Sequence, residues 1–248
     1  MHNAAFAALG MDARYLAFDV PDDRLEAAIA GARALRIRQL AVSIPHKVNV
    51  MRHLDEIDAT ATTIGAVNTV TLRGDRLVGD NTDWLGAMRA LEREGALANA
   101  NAVVLGAGGT ARAVTYGLLQ RGARVCVLNR TEAKAESLAN DLGAQNAGSL
   151  HDLADTPHDI LVNTTSVGLQ SDESPVLASA LRKDSIVMDA VYAPPRTRLL
   201  RDAQALGAKT VEGKWMLIYQ AARQLELWTN QEAPIEVMAQ AFDLAGTT

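Results

Sequence analysis

The sequence predicts an α/β protein of two domains, and three observations carry that expectation. Stretches of apolar β-formers alternate with amphipathic helical segments along the chain, the order that builds βα units. In VVLGAGGTARA, residues 103–113, a strand runs into glycine turns and small residues then open a helix. That is what a dinucleotide pyrophosphate needs, so this half reads as a Rossmann-type nucleotide domain. At 248 residues with 48% hydrophobic side chains, the chain can fill two modest cores.

Each element follows from local pattern. ARYLAFDV (13–20) alternates like a strand, and DDRLEAAIAGARAL (22–35) has apolar residues at helical spacing behind an aspartate cap. RQLAVSI (38–44) reads as a buried strand stopped by Pro45. VNTVTL (67–72) and RLVGDN (76–81), separated by Arg73-Gly74-Asp75, read as a hairpin. Residues 84–96 look helical, and Asn99-Ala100-Asn101 marks the boundary into the nucleotide domain. There strand and helix repeat over 102–106, 110–121, 124–129, 132–142, 159–164 and 185–192. WMLIYQAARQLELW (215–228) and PIEVMAQAFDLA (234–245) are amphipathic helices that a Rossmann half does not need, so they are expected to return to the first domain. The expected division is therefore 1–98, 99–214 and 215–248.

Within the glycine turn, Gly106 makes the bend, Gly108 lets the backbone approach the phosphates, and Ala111 fills the third small position where helix meets strand. The helix start then holds the anion with its N–H groups and dipole. Selection between NAD and NADP is expected about 20 residues further on, at the end of the next strand. An NAD enzyme usually has an acid there. This chain has Asn129, Arg130, Thr131 and then Lys134, groups that bind a 2′-phosphate where a carboxylate would repel it. The cofactor expected is NADP.

Composition excludes other classes. A net charge of −5 argues against a nucleic-acid or anionic-membrane partner. No apolar run approaches the ~20 residues of a membrane span, and Met1-His2-Asn3 is not a basic signal start. The single Cys126 lies in an apolar strand, as a small core residue in a reducing compartment would. The five histidines form no ligand cluster at a familiar spacing, so no metal is expected. A soluble, cytoplasmic protein is the expectation.

The first half carries polar residues in unusual places. Lys47 follows a strand and its terminating proline in SIPHK, Asn68 interrupts the apolar IGAVNTV, and Asp83 follows the hairpin in DNTD. A lone lysine after a strand is ordinarily solvated surface. A lysine beside an aspartate, facing a nicotinamide ring, is a proton-transfer pair suited to alcohol–ketone chemistry.

Nine strings decide between those readings: HNAAF (2–6), SIPHK (43–47), IGAVNT (64–69), DNTDWLG (80–86), GAGGTARA (106–113), NRT (129–131), VNTTSVG (162–168), VYAPPRT (191–197) and EGKWMLIYQAA (212–222). In their order and spacing the chain resembles the shikimate dehydrogenases. The resemblance implies reversible NADP-dependent reduction of 3-dehydroshikimate to shikimate, with Lys47 as the acid–base residue and Asp83 as its partner, in a cleft between the domains. It puts Ser43, Asn68, Tyr192 and Gln220 around the substrate. Gly106, Ala107, Gly108, Gly109, Thr110 and Ala111, then Asn129, Arg130, Thr131 and Lys134, and finally Ala190, Gly213 and Met216 fall where the family lines its NADP site. His46 is read as structural. A small-molecule substrate and a homodimer are the partners expected.

The chain departs from the family pattern at three points. Ser43 stands for a threonine and keeps the hydroxyl, and Ala41 stands where an asparagine is usual. Family members also precede HNAAF with a strand and a Ser-x-Ser turn that hold the substrate carboxylate, and this sequence supplies no such serines there. Without them, two hydrogen bonds to a charged group are lost, worth on the order of 3–6 kcal/mol of substrate binding. Alternatives left open are a quinate or related cyclic hydroxy-acid dehydrogenase, and a dinucleotide-binding protein without turnover.

Overall fold

The computed structural model describes residues 1–245, which divide into two units: Met1–Thr82 with the chain from Ile218 onward, and Asp83–Leu217. The first unit opens with helix α1 (His2–Ala8) and continues through α2 (Leu25–Ala34), strand β1 (Gln39–Ala41), β2 (Glu56–Ile57), α3 (Ala59–Ile64), β3 (Thr69–Arg73) and β4 (Arg76–Asp80). Its sheet has the order β1-β3-β4-β2, with β2 parallel to β4 and the other pairs antiparallel. The predicted hairpin is β3–β4, in register from Thr69↔Asp80 to Arg73↔Arg76, and Gly74 takes φ +63° in its turn. Leu25 and Ile29 of α2 cover Val70, Leu77 and Val67, burying the face that the helical spacing made apolar.

The expected strand at 13–20 does not form. Those residues pair with no strand among the described residues, and Leu16 and Phe18 are about two-thirds exposed. Alternation records which side chains could share a face, but a strand also needs a neighbour for its backbone groups. A side chain serves instead. Asn3 Nδ2 donates to the Tyr15 carbonyl at 3.0 Å and Tyr15 N–H donates to Asn3 Oδ1 at 2.7 Å, so one amide occupies both backbone groups of Tyr15. His2 stacks on the Tyr15 ring at 4.4 Å, and burial pushes its imidazole down to about 4.

The second unit holds α4 (Asp83–Glu92), β5 (Asn101–Leu105), α5 (Gly109–Gln120), β6 (Arg124–Leu128), α6 (Glu132–Leu142), β7 (Asn146–Gly148), β8 (Ile160–Asn163), β9 (Ile186–Asp189), α7 (Arg198–Leu206) and β10 (Lys209–Val211). All six strands are parallel, in the order β10-β9-β8-β5-β6-β7. This is the Rossmann arrangement, and strand order reverses between β5 and β8 at their carboxyl ends, where such sheets take ligands. The apolar runs that gave the strands are buried on both faces, as crossover helices require. Cys126, half-buried in β6, has its thiol pushed up by burial and by Asp152.

Helix α4 belongs by packing to this unit, so the structural division falls at 82/83 and the sequence division at 98/99 lies later. The cause is local. The ideal Cβ position at Gly117 of α5 lies 2.9 Å from Met88 Cγ. Trp84 meets Tyr116 edge-on at 5.4 Å, and Arg121 Nε donates to Glu92 at 2.6 Å. Helix α8 (Gly213–Thr229) contains the second division point, and α9 (Ile235–Ala245) follows. In the first unit the α8 residue Trp228 meets Phe6 of α1 edge-on at 5.4 Å. No helix among the described residues is long and apolar enough to cross a membrane.

Candidate active site

The glycine turn sits at the carboxyl end of β5. Gly106 has φ +112° and donates its N–H to the Leu128 carbonyl at 2.8 Å, while a Cβ there would come within 2.7 Å of Thr164 Oγ1. Both its dihedral and its surroundings demand glycine. Ala107 follows, and Gly108 is the N-cap of α5, with Gly109 and Thr110 opening the helix and Ala111 fully buried beneath them. Gly108 brings no side chain to cap the first-turn N–H groups, and that turn has no acid. A Cβ at Gly108 would meet nothing within 4 Å. Open space in front of a helix start is the cradle a pyrophosphate requires, so these residues fit a dinucleotide.

At the end of β6, Asn129 donates from Nδ2 to the Thr131 carbonyl at 2.9 Å, and Lys134 N–H donates to the same carbonyl at 3.0 Å. Thr131 is the N-cap of α6, and Arg130, Thr131 and Lys134 are exposed. The turn thus gathers guanidinium, hydroxyl and ammonium side chains, with Glu132 the acid beside them.

At the end of β9, Ala190 N–H donates to the Asn163 carbonyl at 2.8 Å. A Cβ on Gly213 would lie 2.5, 2.7 and 2.8 Å from the carbonyl oxygens of Val191, Asp189 and Ala190. Only glycine lets α8 start that close. Met216 is buried one turn later and Tyr192 is 43% exposed. The structure therefore gathers Ala190 and Gly213, and separately Asn129, Thr131 and Lys134.

In the first unit, Val42 N–H donates to the Asn68 carbonyl at 2.7 Å and Val67 N–H donates to the Lys47 carbonyl at 2.8 Å, so the loop carrying Ser43 and Lys47 is strapped along the start of β3. Ser43 is exposed and Lys47 half-buried. His46 plays the structural part expected of it: its Nε2 lies 2.7 Å from the Val20 carbonyl and its Nδ1 3.6 Å from Asp22.

Asn68 is buried at the centre of a polar network. Its Oδ1 accepts from Thr82 N–H and Thr69 Oγ1, both at 2.8 Å, and its Nδ2 donates to Thr82 Oγ1 at 3.0 Å and to Gln220 Oε1 at 3.1 Å. Asn68 and Gln220 are thus brought together. Asp83 follows Thr82 directly and is itself buried. Sequence reasoning missed Gln224, whose Nε2 donates to Thr69 Oγ1 at 3.0 Å and to the Asn68 carbonyl at 3.2 Å. Its signal was present: it lies four residues after Gln220, on the same helix face. Also missed was Asp189, fully buried, whose carboxyl burial pushes up to about 6 against three hydrogen bonds that lower it. An acid closing the apolar run Ile186-Val187-Met188 was the readable sign.

Three family models match the chain: the shikimate dehydrogenase substrate binding domain over residues 1–70, shikimate / quinate 5-dehydrogenase over 88–189, and the shikimate 5′-dehydrogenase C-terminal domain over 213–241. A shikimate dehydrogenase (NADP(+)) of Haloarcula marismortui is 47% identical over 96% of this chain and 90% of its own length. The chain belongs to the shikimate dehydrogenase family. A crystal structure of a shikimate dehydrogenase in complex with NADP+ superposes with a TM-score of 0.94 at 41% identity, covering 100% of this chain and 90% of that one. The Thermus thermophilus shikimate 5-dehydrogenase in complex with NADP(H) and shikimate gives 0.92 at 36% identity, covering 98% and 92%. For this family member the resemblance read from nine short strings holds along nearly the whole chain.

Proposed function

We propose that this chain is an NADP-dependent shikimate dehydrogenase, interconverting 3-dehydroshikimate and shikimate. The observation that carries the reading is the pairing of an anion cradle at Gly108 with a β6 end where Asn129 stands in place of the acid an NAD enzyme carries and Arg130, Thr131 and Lys134 surround it, in a chain whose curated relatives are NADP(+) enzymes. NADP, when bound, supplies the hydride carrier. Gly106 to Ala111 would hold its pyrophosphate, Asn129, Arg130, Thr131 and Lys134 would take its 2′-phosphate, and Ala190, Gly213 and Met216 would line the rest of its site.

Hydride transfer between carbonyl and alcohol leaves one proton to be moved at the reacting oxygen. Lys47 donates that proton in the reductive direction and takes it back in the oxidative one. Asp83 positions the ammonium and the substrate hydroxyl. Asn68 and Gln220 hydrogen-bond each other in the structure, and a polyhydroxy ring offers hydroxyls that replace this contact with two new ones. Ser43 and Tyr192 complete the substrate contacts.

The test is reduction of NADP+ by the purified chain with shikimate, with quinate and NAD+ as comparisons. Shikimate-dependent turnover with NADP+ preferred is the expected result. Turnover with quinate alone would move the reading to a quinate dehydrogenase, and tight NADPH binding without turnover on either acid would make the chain a dinucleotide-binding protein.

A further inference from the structure

The second unit contains one fully buried carboxylate that the reaction does not use. Asp189 ends β9, and its Oδ1 accepts from Asn163 Nδ2 at 2.8 Å and from Val191 N–H at 3.0 Å. Its Oδ2 accepts from Thr197 Oγ1 at 2.6 Å. Those donors belong to three different pieces of chain. Asn163 closes β8, and its own Oδ1 accepts from Thr165 N–H at 3.0 Å and from Thr165 Oγ1 at 2.7 Å, shaping the loop beyond. Val191 lies between Ala190 and Tyr192. Thr197 is the N-cap of α7 and accepts from Leu200 N–H at 3.4 Å.

From this geometry we infer that Asp189 is a positioning residue, one carboxylate that locks together the loops leaving β8 and β9 and so fixes where Ala190 and Tyr192 stand. The inference rests on the reading above for the roles of those two residues. A charged acceptor suits the task because it takes three donors at once with no donor of its own to satisfy. The site argues against simple core filling: an apolar side chain there would leave Asn163, Val191 and Thr197 each with an unsatisfied buried donor. Burial holds the carboxyl well above its ordinary range, so the arrangement is retained against a cost in desolvation.

The hydrogen bonds of the Asp189 carboxylate run to Asn163, Val191 and Thr197, outside the glycine turn and the end of β6. Two variants separate positioning from general support. Asp189→Asn keeps the shape but offers N–H groups to Thr197, and Asp189→Ala removes all three acceptors. We expect the NADPH dissociation constant, read by protein fluorescence, to rise by less than the fall in kcat in both, because Ala190 lines one end of the cofactor site and the glycine turn and the end of β6 keep their contacts. The kcat for shikimate oxidation should fall about ten-fold in Asp189→Asn and further in Asp189→Ala, with KM for shikimate raised through Tyr192. Hydrogen exchange should show faster amides at 163–168 and 190–197 in Asp189→Ala, with β5 and β6 still protected. Parallel loss of NADPH affinity and kcat, or unchanged exchange in both loops, overturns the inference. Absence of turnover in the unsubstituted chain counts against the proposed function alone, and the exchange measurement then decides for Asp189.

Discussion

Replacing Asp189 by asparagine should change how stability depends on pH, and the size follows from the site. Burial raises this carboxyl from 3.8 to about 6 in the folded chain. The folded state therefore holds a proton that the unfolded chain has released between those values. The contribution is fully present below pH 3.8 and is lost as pH rises through about 6. The rise from 3.8 to about 6 corresponds to about 3 kcal/mol, and Asp189 has no exposed surface that would screen it. Between pH 4.5 and pH 7.5, where the unfolded carboxyl is already partly ionised at the start, about 2 kcal/mol remains. Asparagine cannot ionise, so the variant should lack this loss. Urea unfolding at the two pH values, followed by fluorescence of Trp84 and Trp215 with Trp228 replaced by phenylalanine in both proteins, gives the two stability differences. Their gap should be about 2 kcal/mol, with the variant losing less on going to pH 7.5. Equal pH dependence in the two proteins would show that Asp189 does not titrate in this window and would refute the reasoning. A variant that holds its stability at pH 7.5 while turning over slowly would show a charge kept for activity at the expense of stability.

Other expectations concern the site directly. Arg130→Ala with Lys134→Ala should weaken NADPH binding by ten-fold or more and leave NADH within about two-fold, since each charge-assisted contact to a phosphate is worth about 1.5–3 kcal/mol before solvent screening of such exposed groups; titration of both nucleotides checks it, and equal weakening removes these side chains from phosphate reading. Lys47→Ala should lower kcat by about 10²- to 10⁴-fold with NADPH affinity intact, and a variant at the native rate excludes Lys47 as the proton donor. Gln224→Leu leaves Thr69 Oγ1 and the Asn68 carbonyl without one partner each, costing about 1–3 kcal/mol and raising KM for shikimate more than KM for NADPH; unchanged substrate KM together with unchanged stability would leave Gln224 without a part in the Asn68 network.

Legibility in the sequence followed interaction range. The parallel sheet was readable because β5, β6, β8 and β9 are apolar runs buried on both faces, and because Gly106 and Gly108 mark where one of them meets its helix. The segment 13–20 misled for the complementary reason: its pattern is strand-like, yet whether a neighbour lies alongside is not a local property. Helix α4 looked like the tail of the first half until Met88 and Gly117 fixed it against α5. Of the site, the residues inside recognisable strings were named from them. Gln224 and Asp189 act on those residues from one helical turn or one loop away, and a pattern of single positions does not carry such pairings.

Gly213 looks different from the side of the gene. Every substitution at that codon adds at least a methyl group, and the carbonyl oxygens of Asp189, Ala190 and Val191 already occupy the volume it would take. No rotamer relieves the crowding, since the β-carbon itself is the intruder, and the oxygens belong to backbone that the Asp189 carboxylate fastens. In a saturation library of this region, position 213 should accept nothing but glycine, while its neighbour Lys214, partly exposed and beside Glu212, tolerates many replacements. A narrow point in the mutational landscape of the nucleotide unit is thus set by main-chain oxygens, and it lies far along the chain from the glycines that first drew the eye.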